Sequence, residues 1–281
     1  MTTVLDIQRF KDEGRRFAVL TAYDFLSARI LDEAGIPILL VGDSLGMVML
    51  GHPTTLPVTL DDMLHHARAV ARGSRQALLV GDLPFMSYQV STEQAIASAG
   101  RFMQEAGMHA VKLEGGGPVI EITRRLAEIG IPVMGHLGLT PQSFHTMGGF
   151  KVQGKTEAQA ARIMSDAKAL EQAGAFSVVL EGMPSKLANT ITQTLRIPTI
   201  GIGAGPGTDG QVLVLHDMLG LTTGKAPKFV KRYANLAEDI ARAATAYSDD
   251  VRTGKFPGPE HEYSANGSAP AKDREEVRYG G

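Results

Sequence analysis

Lys112 and Glu114 alternate with Val111 and Leu113 in the run Ala110-Val-Lys-Leu-Glu-Gly-Gly116. If that run is a β-strand, its period of two places the amine and the carboxylate on one face, roughly 6.5 Å apart along the chain. Two charged groups held side by side on a short apolar strand need partners, because an unpaired buried charge is costly. The glycines that follow let backbone approach a ligand closely. Other acids stand in comparable places. Asp24, Asp43, Asp82, Glu181 and Asp217 fall at or just past the end of a predicted strand, accompanied by His136 and His216. So many carboxylates gathered at one mouth would repel one another unless a lysine or a cation neutralised them. A divalent ion held by oxygen ligands resolves the conflict most simply, and Mg²⁺ suits it because it keeps several waters and needs few carboxylates.

Each residue also has a structural reading. Asp24 precedes a predicted helix and serves equally as its N-cap. Asp43 and Asp82 end two copies of Leu-Leu-Val-Gly-Asp, at 39–43 and 78–82, which suggests equivalent strands and favours paired metal ligation over turn capping. His136, between Gly135 and Leu137, is either a substrate contact or a buried histidine satisfied by backbone. His216 and Asp217 are read as structural. Lys112 is either a Schiff-base lysine or a protonated partner of Glu114 that binds a substrate oxyanion.

The elements that must position these groups follow a strict alternation. Predicted strands begin at Phe17, Ile36, Gln76, Ala110, Pro132, Phe176, Pro198 and Gln211, with helices between them and a last helix at about 228–247. Eight strands and roughly eight helices in a 281-residue chain fit a single (β/α)8 TIM barrel, whose chemistry collects at the carboxyl ends of the strands. An open doubly wound sheet is less favoured, since no strand-Gly-x-Gly-x-x-Gly-helix fingerprint is present. The stretch 45–59 is long for a βα loop and reads as a lid or substrate loop. Residues 1–263 are assigned to the barrel, and 264–281, poor in apolar residues, to a disordered tail.

Composition narrows the function classes. A net charge of −2 gives no basic footprint for nucleic acid. The absence of cysteine excludes disulfides, thiolate nucleophiles and Cys-type zinc sites. No apolar run approaches the ~20 residues of a membrane span, and the first residues lack a signal-peptide pattern, so a cytoplasmic protein is expected.

Eight segments, in order, resemble the ketopantoate hydroxymethyltransferase family. They are Thr21-Ala-Tyr-Asp24, Val41-Gly-Asp-Ser-Leu-Gly46, Thr54-Thr-Leu-Pro-Val58, Gly81-Asp-Leu-Pro-Phe85, Val111-Lys-Leu-Glu-Gly-Gly116, Gly135-His-Leu-Gly-Leu-Thr-Pro-Gln-Ser143, Gly148-Gly-Phe-Lys-Val-Gln-Gly154 and Gly201-Ile-Gly-Ala-Gly205 with Thr208-Asp-Gly-Gln211. The resemblance implies a barrel of the phosphoenolpyruvate/pyruvate type and a homodecamer. It also implies transfer of a hydroxymethyl group from 5,10-methylenetetrahydrofolate to 3-methyl-2-oxobutanoate through a magnesium-stabilised enolate, giving 2-dehydropantoate and tetrahydrofolate in pantothenate biosynthesis. By motif position it implies Asp43, Asp82 and Glu114 as metal ligands, Asp43, Ser44, Asp82 and Lys112 as ketoacid contacts, and Glu181 as the base. An apolar neighbourhood of Val178, Leu180 and Met183 would favour that last role. The residues that hold the folate are not specified by the motifs; Lys151 and Lys155 either meet its carboxylates or are simply solvated, and 45–59 and 148–154 are the candidate closing segments.

Overall fold

A computed structural model describes residues 1–222, 224 and 226–263; the expected tail at 264–281 lies outside the described residues. Eight parallel strands close into a barrel in sequence order: β1 (Phe17–Thr21), β2 (Ile38–Val41), β3 (Leu78–Asp82), β4 (Ala110–Glu114), β5 (Val133–Gly138), β6 (Ser177–Glu181), β7 (Thr199–Ile202) and β8 (Gly210–Leu213). Pairing of β1 with β8, Val19 opposite Val212, completes the ring. The expected (β/α)8 TIM barrel is therefore the observed fold.

The helices are α1 (Val4–Asp12), α2 (Phe25–Glu33), α3 (Leu45–Val48), α4 (Leu60–Gly73), α5 (Thr92–Ala106), α6 (Pro118–Glu128), α7 (Phe144–Met147), α8 (Glu157–Gln172), α9 (Ser185–Thr194), α10 (Leu215–Met218) and α11 (Leu236–Arg252). Local chemistry sets many of their starts. Thr3, Thr59 and Thr156 each cap a helix through a reciprocal box with the residue three positions on, satisfying backbone N–H groups the helix cannot. Asp24 caps α2, accepting from Ser27 N at 2.9 Å and Ser27 Oγ at 2.6 Å. Both of its carboxylate oxygens are thereby engaged, so the capping role holds for Asp24.

Strand alternation divides the core in two. Leu78, Val80, Ala110, Met134, Val179, Ile200 and Val212 fill the barrel interior, while Leu79, Val111, Leu113 and Val133 pack against the outer helices. The amino-terminal end of the barrel is covered by α1, whose Ile7 is fully buried in the interior cluster with Val4 and Phe10 against it. Lys11 Nζ, 2.9 Å from Asp209 Oδ2, fixes that helix to the turn that leads into β8. An apolar floor thus lies beneath the carboxyl-terminal mouth.

Two sequence expectations are corrected. The paired Leu-Leu-Val-Gly-Asp runs are not equivalent: Leu39 lies opposite Leu79, so Leu39 faces the helices whereas Leu78 faces the interior. The last helix begins at Leu236 rather than near Lys228, because Asn235 is its N-cap and the preceding segment turns after Pro227. The chain divides into two compact units, Met1–Ala234, which contains the barrel, and Asn235–Gly281, which contains α11. No helix among the described residues is long and apolar enough to cross a membrane.

Candidate active site

The interior stripe of β4 runs Ala110, Lys112, Glu114, from apolar floor to charged mouth, and its neighbours repeat the pattern. Asp82 lies opposite Lys112, Glu114 opposite His136, and Gly138 opposite Glu181. Four adjacent strands therefore deliver Asp82, Lys112, Glu114, His136 and Glu181 to one end of the barrel. Asp43 reaches the same place by another route. Strand β2 stops at Val41, and Gly42 lets the chain turn: a Cβ there would stand 2.8 Å from Ser44 Oγ. Asp43 and Ser44 then line the mouth although their strand is out of phase with β3.

All these groups border one cavity of about 590 Å³. Its inner wall is polar, and its outer wall is largely apolar, with Met47, Val48, Leu139, Phe150 and Phe229. Segments 45–59 and 148–154 both contribute to the lining of the cavity. Lys151 lines the cavity, whereas Lys155 is not among the lining residues. His216 lies in α10 beside Tyr23, their ring centroids 5.5 Å apart, while Asp217 borders the cavity and accepts from Thr222 Oγ1 at 2.7 Å. Both were placed by sequence at the end of a strand; β8 ends earlier, at Leu213.

Lys112 Nζ donates to Asp82 Oδ2 at 2.6 Å and stands 3.9 Å from Glu114 Oε1. Burial opposes its charge, but the carboxylates of Asp82, Glu114 and Asp43 outweigh burial and hold the ammonium above the usual amine range. A lysine so held is protonated and a poor nucleophile, which favours oxyanion binding over the Schiff base. Burial first, then the charges of Asp82 and Glu114, push the Asp43 carboxyl well above the usual carboxylate range. Asp82 is raised too, chiefly by burial and by Glu114, despite Lys112. Glu114 goes the other way: burial opposes its charge, yet His136, Lys112 and the Gln142 N–H keep it below the usual range.

His136 is buried between two acids, Nδ1 at 3.3 Å from Glu114 Oε1 and Nε2 at 3.2 Å from Glu181 Oε2. Neither contact has the alignment of a hydrogen bond, so the attraction is electrostatic. Burial and the Lys112 charge work against protonation, but the two carboxylates prevail and raise the imidazole to about 9. Glu181 keeps 15% of its side chain exposed, on the cavity side of His136. Its backbone is fixed by Leu139 N, which donates to Glu181 O at 2.8 Å. That approach requires Gly138 at φ +97°, where a Cβ would meet Glu181 O at 2.2 Å. The apolar neighbours expected around Glu181 lie elsewhere, since Val178, Leu180 and Met183 belong to the cluster packed with Leu170 and Ile191 of the outer helices.

The donor set fits a hard divalent cation. Among the described residues, Asp82 Oδ1 is buried without a hydrogen-bond partner, and five acids, Asp217 the fifth, line the cavity with Lys112, Lys151 and His136 among its basic groups. Among the described residues, no three His, Asp or Glu side chains already stand in a metal-clasping arrangement. Asp43 and Asp82 are the oxygen donors best placed to take an ion; both Glu114 oxygens already have partners, Oε2 accepting from Gln142 N at 2.9 Å. Gln142, in the 3₁₀ turn Pro141–Ser143 after β5, was not singled out by the sequence reading. Nor were Ala226, Pro227 and Phe229 of the outer wall. A proline at the start of a turn just past a strand end was the available signal for Gln142.

A family model described as Ketopantoate hydroxymethyltransferase matches residues 1–259. A 3-methyl-2-oxobutanoate hydroxymethyltransferase of Syntrophus aciditrophicus (strain SB) is 60% identical over 257 residues, covering 92% of this chain and 94% of that protein. One of the same name from Chloroflexus aurantiacus (strain ATCC 29366 / DSM 635 / J-10-fl) is 58% identical over 259 residues, 92% of each. Among solved structures, a phosphonopyruvate hydrolase complexed with oxalate and Mg²⁺ superposes with a TM-score of 0.59 at 14% identity, covering 94% of this chain and 93% of that one. A 2,3-dimethylmalate lyase of the PEP mutase/isocitrate lyase superfamily gives 0.58 at 20% identity, covering 94% and 89%. At such identities the structural likeness speaks to the shared barrel alone.

Proposed function

The chain belongs to the ketopantoate hydroxymethyltransferase family and is a transferase, and from that premise we propose that it moves a hydroxymethyl group from 5,10-methylenetetrahydrofolate to 3-methyl-2-oxobutanoate. The products would be 2-dehydropantoate and tetrahydrofolate, as required for pantothenate biosynthesis. One observation carries the chemistry: a partly exposed carboxylate, Glu181, shares a cavity with a buried lysine and three buried acids at or just past the ends of neighbouring strands.

The α-ketoacid is read at the inner wall, its oxygens toward Ser44 and the Lys112 ammonium. Magnesium held by Asp43 and Asp82, with Glu114 beside them, would draw charge from those oxygens and so acidify the neighbouring C–H. Glu181 is the base that takes the C3 proton. His136 holds Glu181 from behind and contributes positive charge to a site otherwise rich in acids. Lys112 offsets the negative charge that develops on the keto oxygen. The folate is placed along the apolar outer wall, where Phe150 and Phe229 would cover the new bond once it is bound.

Incubation of the protein with both substrates and Mg²⁺, followed by mass spectrometry for 2-dehydropantoate, tests the reaction directly. Turnover without the folate, or none with it, would contradict this reading. The same reading makes the protein a cytoplasmic homodecamer. Exposed apolar side chains such as Met49, Leu50, Met86 and Val90 support self-association, and localisation rests on the sequence alone.

A further inference from the structure

Gln142 is a buried amide with every hydrogen-bonding position filled. Its Nε2 donates to Asp43 Oδ2 at 3.0 Å and to Leu83 O at 2.9 Å. Its Oε1 accepts from the Tyr88 hydroxyl at 2.7 Å and from Gln89 Nε2 at 3.1 Å. Its backbone N–H, as already noted, reaches Glu114 Oε2. A carbonyl such as Leu83 O can only accept, which fixes the orientation of the amide. The residue therefore joins the β2, β3 and β4 ends of the mouth from a turn that follows β5.

The consequence falls on Asp43. It reaches the cavity on a turn rather than a strand. Gln142 occupies its Oδ2, while among the described residues no hydrogen bond takes its Oδ1. We propose that Gln142 is a positioning residue: by holding Asp43 Oδ2 against the protein it presents Oδ1 to the cavity, and so sets the affinity of the site for a divalent cation with the α-ketoacid. The inference rests on the reading of the site given above. It is carried by geometry, because a freely rotating carboxylate would offer either oxygen and lose freedom on binding, whereas a held one is already oriented.

The test is Mn²⁺ binding, followed by electron paramagnetic resonance in the presence of 3-methyl-2-oxobutanoate, together with thermal melting. Gln142→Met retains side-chain length and the backbone N–H to Glu114 but removes the donor to Asp43. The expected result is a roughly 10–100-fold loss of Mn²⁺ affinity in a variant that still melts cooperatively, at a temperature lowered by the loss of the buried amide's bonds. Unchanged affinity, with or without a fall in melting temperature, would leave Gln142 a structural residue and overturn the proposal. Gln142→Asn, one methylene too short for its amide to reach Asp43, provides the same measurement if the methionine variant does not fold, with the same two outcomes. Failure of the unmodified protein to bind Mn²⁺ with ketoacid would overturn the functional reading itself, and this inference with it.

Discussion

His136 Nε2 lies 3.2 Å from Glu181 Oε2, and the other ring nitrogen faces Glu114, so the imidazole bridges a buried carboxylate to a more exposed one. The two are joined by register: His136 pairs with Glu114 on one side of β5, and two residues on Gly138 pairs with Glu181 on the other. Alternation along β5 therefore fixes how far the candidate base stands from Glu114.

Removing that bridge has a pH signature. The imidazole is raised to about 9 against an ordinary value near 6.5. Its stabilising contribution is fully present below about pH 6.5 and is lost as pH rises through about 9. In the absence of added divalent cation, the stability difference between the parent protein and His136→Gln should be largest at pH 6 and shrink steadily by pH 9.5 in urea titrations. A difference that grows with pH would contradict the bridging role.

Lys112 is the buried counter-charge to Asp82. Lys112→Met leaves three buried acids without it, and breaking such a pair costs about 3–5 kcal/mol. The loss should appear in urea titration at pH 7 and shrink on acidification or on addition of Mg²⁺. Borohydride should trap no ketoacid on the parent protein; covalent trapping at Lys112 would revive the Schiff-base reading.

Asp32 provides a control far from the chemistry. It accepts from Ser74 Oγ at 2.6 Å and from Arg75, Gln76 and Ala77 N–H groups, pinning the chain that leads into β3. Burial opposes its ionisation, but these bonds outweigh it and depress the carboxyl below its usual range. The contribution is present above about pH 4 and lost as pH falls through the depressed value. Asp32→Asn should cost about 1–3 kcal/mol at pH 7 and little at pH 3. Turnover per folded molecule should be unchanged.

Much of this site was legible because strand ends are legible. Once 110–116 is taken as a strand, period-two geometry puts Lys112 and Glu114 together, and the count of βα units places Asp82 and Glu181 at the same mouth. The phase of β2 was not legible: identical letters at 39–43 and 78–82 take opposite faces, and only barrel pairing determines which. Gln142 escaped for a related reason. Its importance comes from contacts to Asp43, Leu83 and Tyr88, 54 to 99 positions away in sequence, which no local pattern encodes. His136 was read as either a substrate contact or a buried histidine satisfied by backbone; the structure buries it at the cavity wall between Glu114 and Glu181, with no backbone hydrogen bond to its ring among the described residues.

The most direct measurement is exchange of the C3 hydrogen of 3-methyl-2-oxobutanoate with deuterium, followed by NMR with Mg²⁺ and no folate present. The parent protein should exchange that hydrogen, and Glu181→Gln should slow it at least about 100-fold while binding ketoacid and Mg²⁺ nearly as well. Exchange at an undiminished rate in Glu181→Gln would show that another group takes the proton.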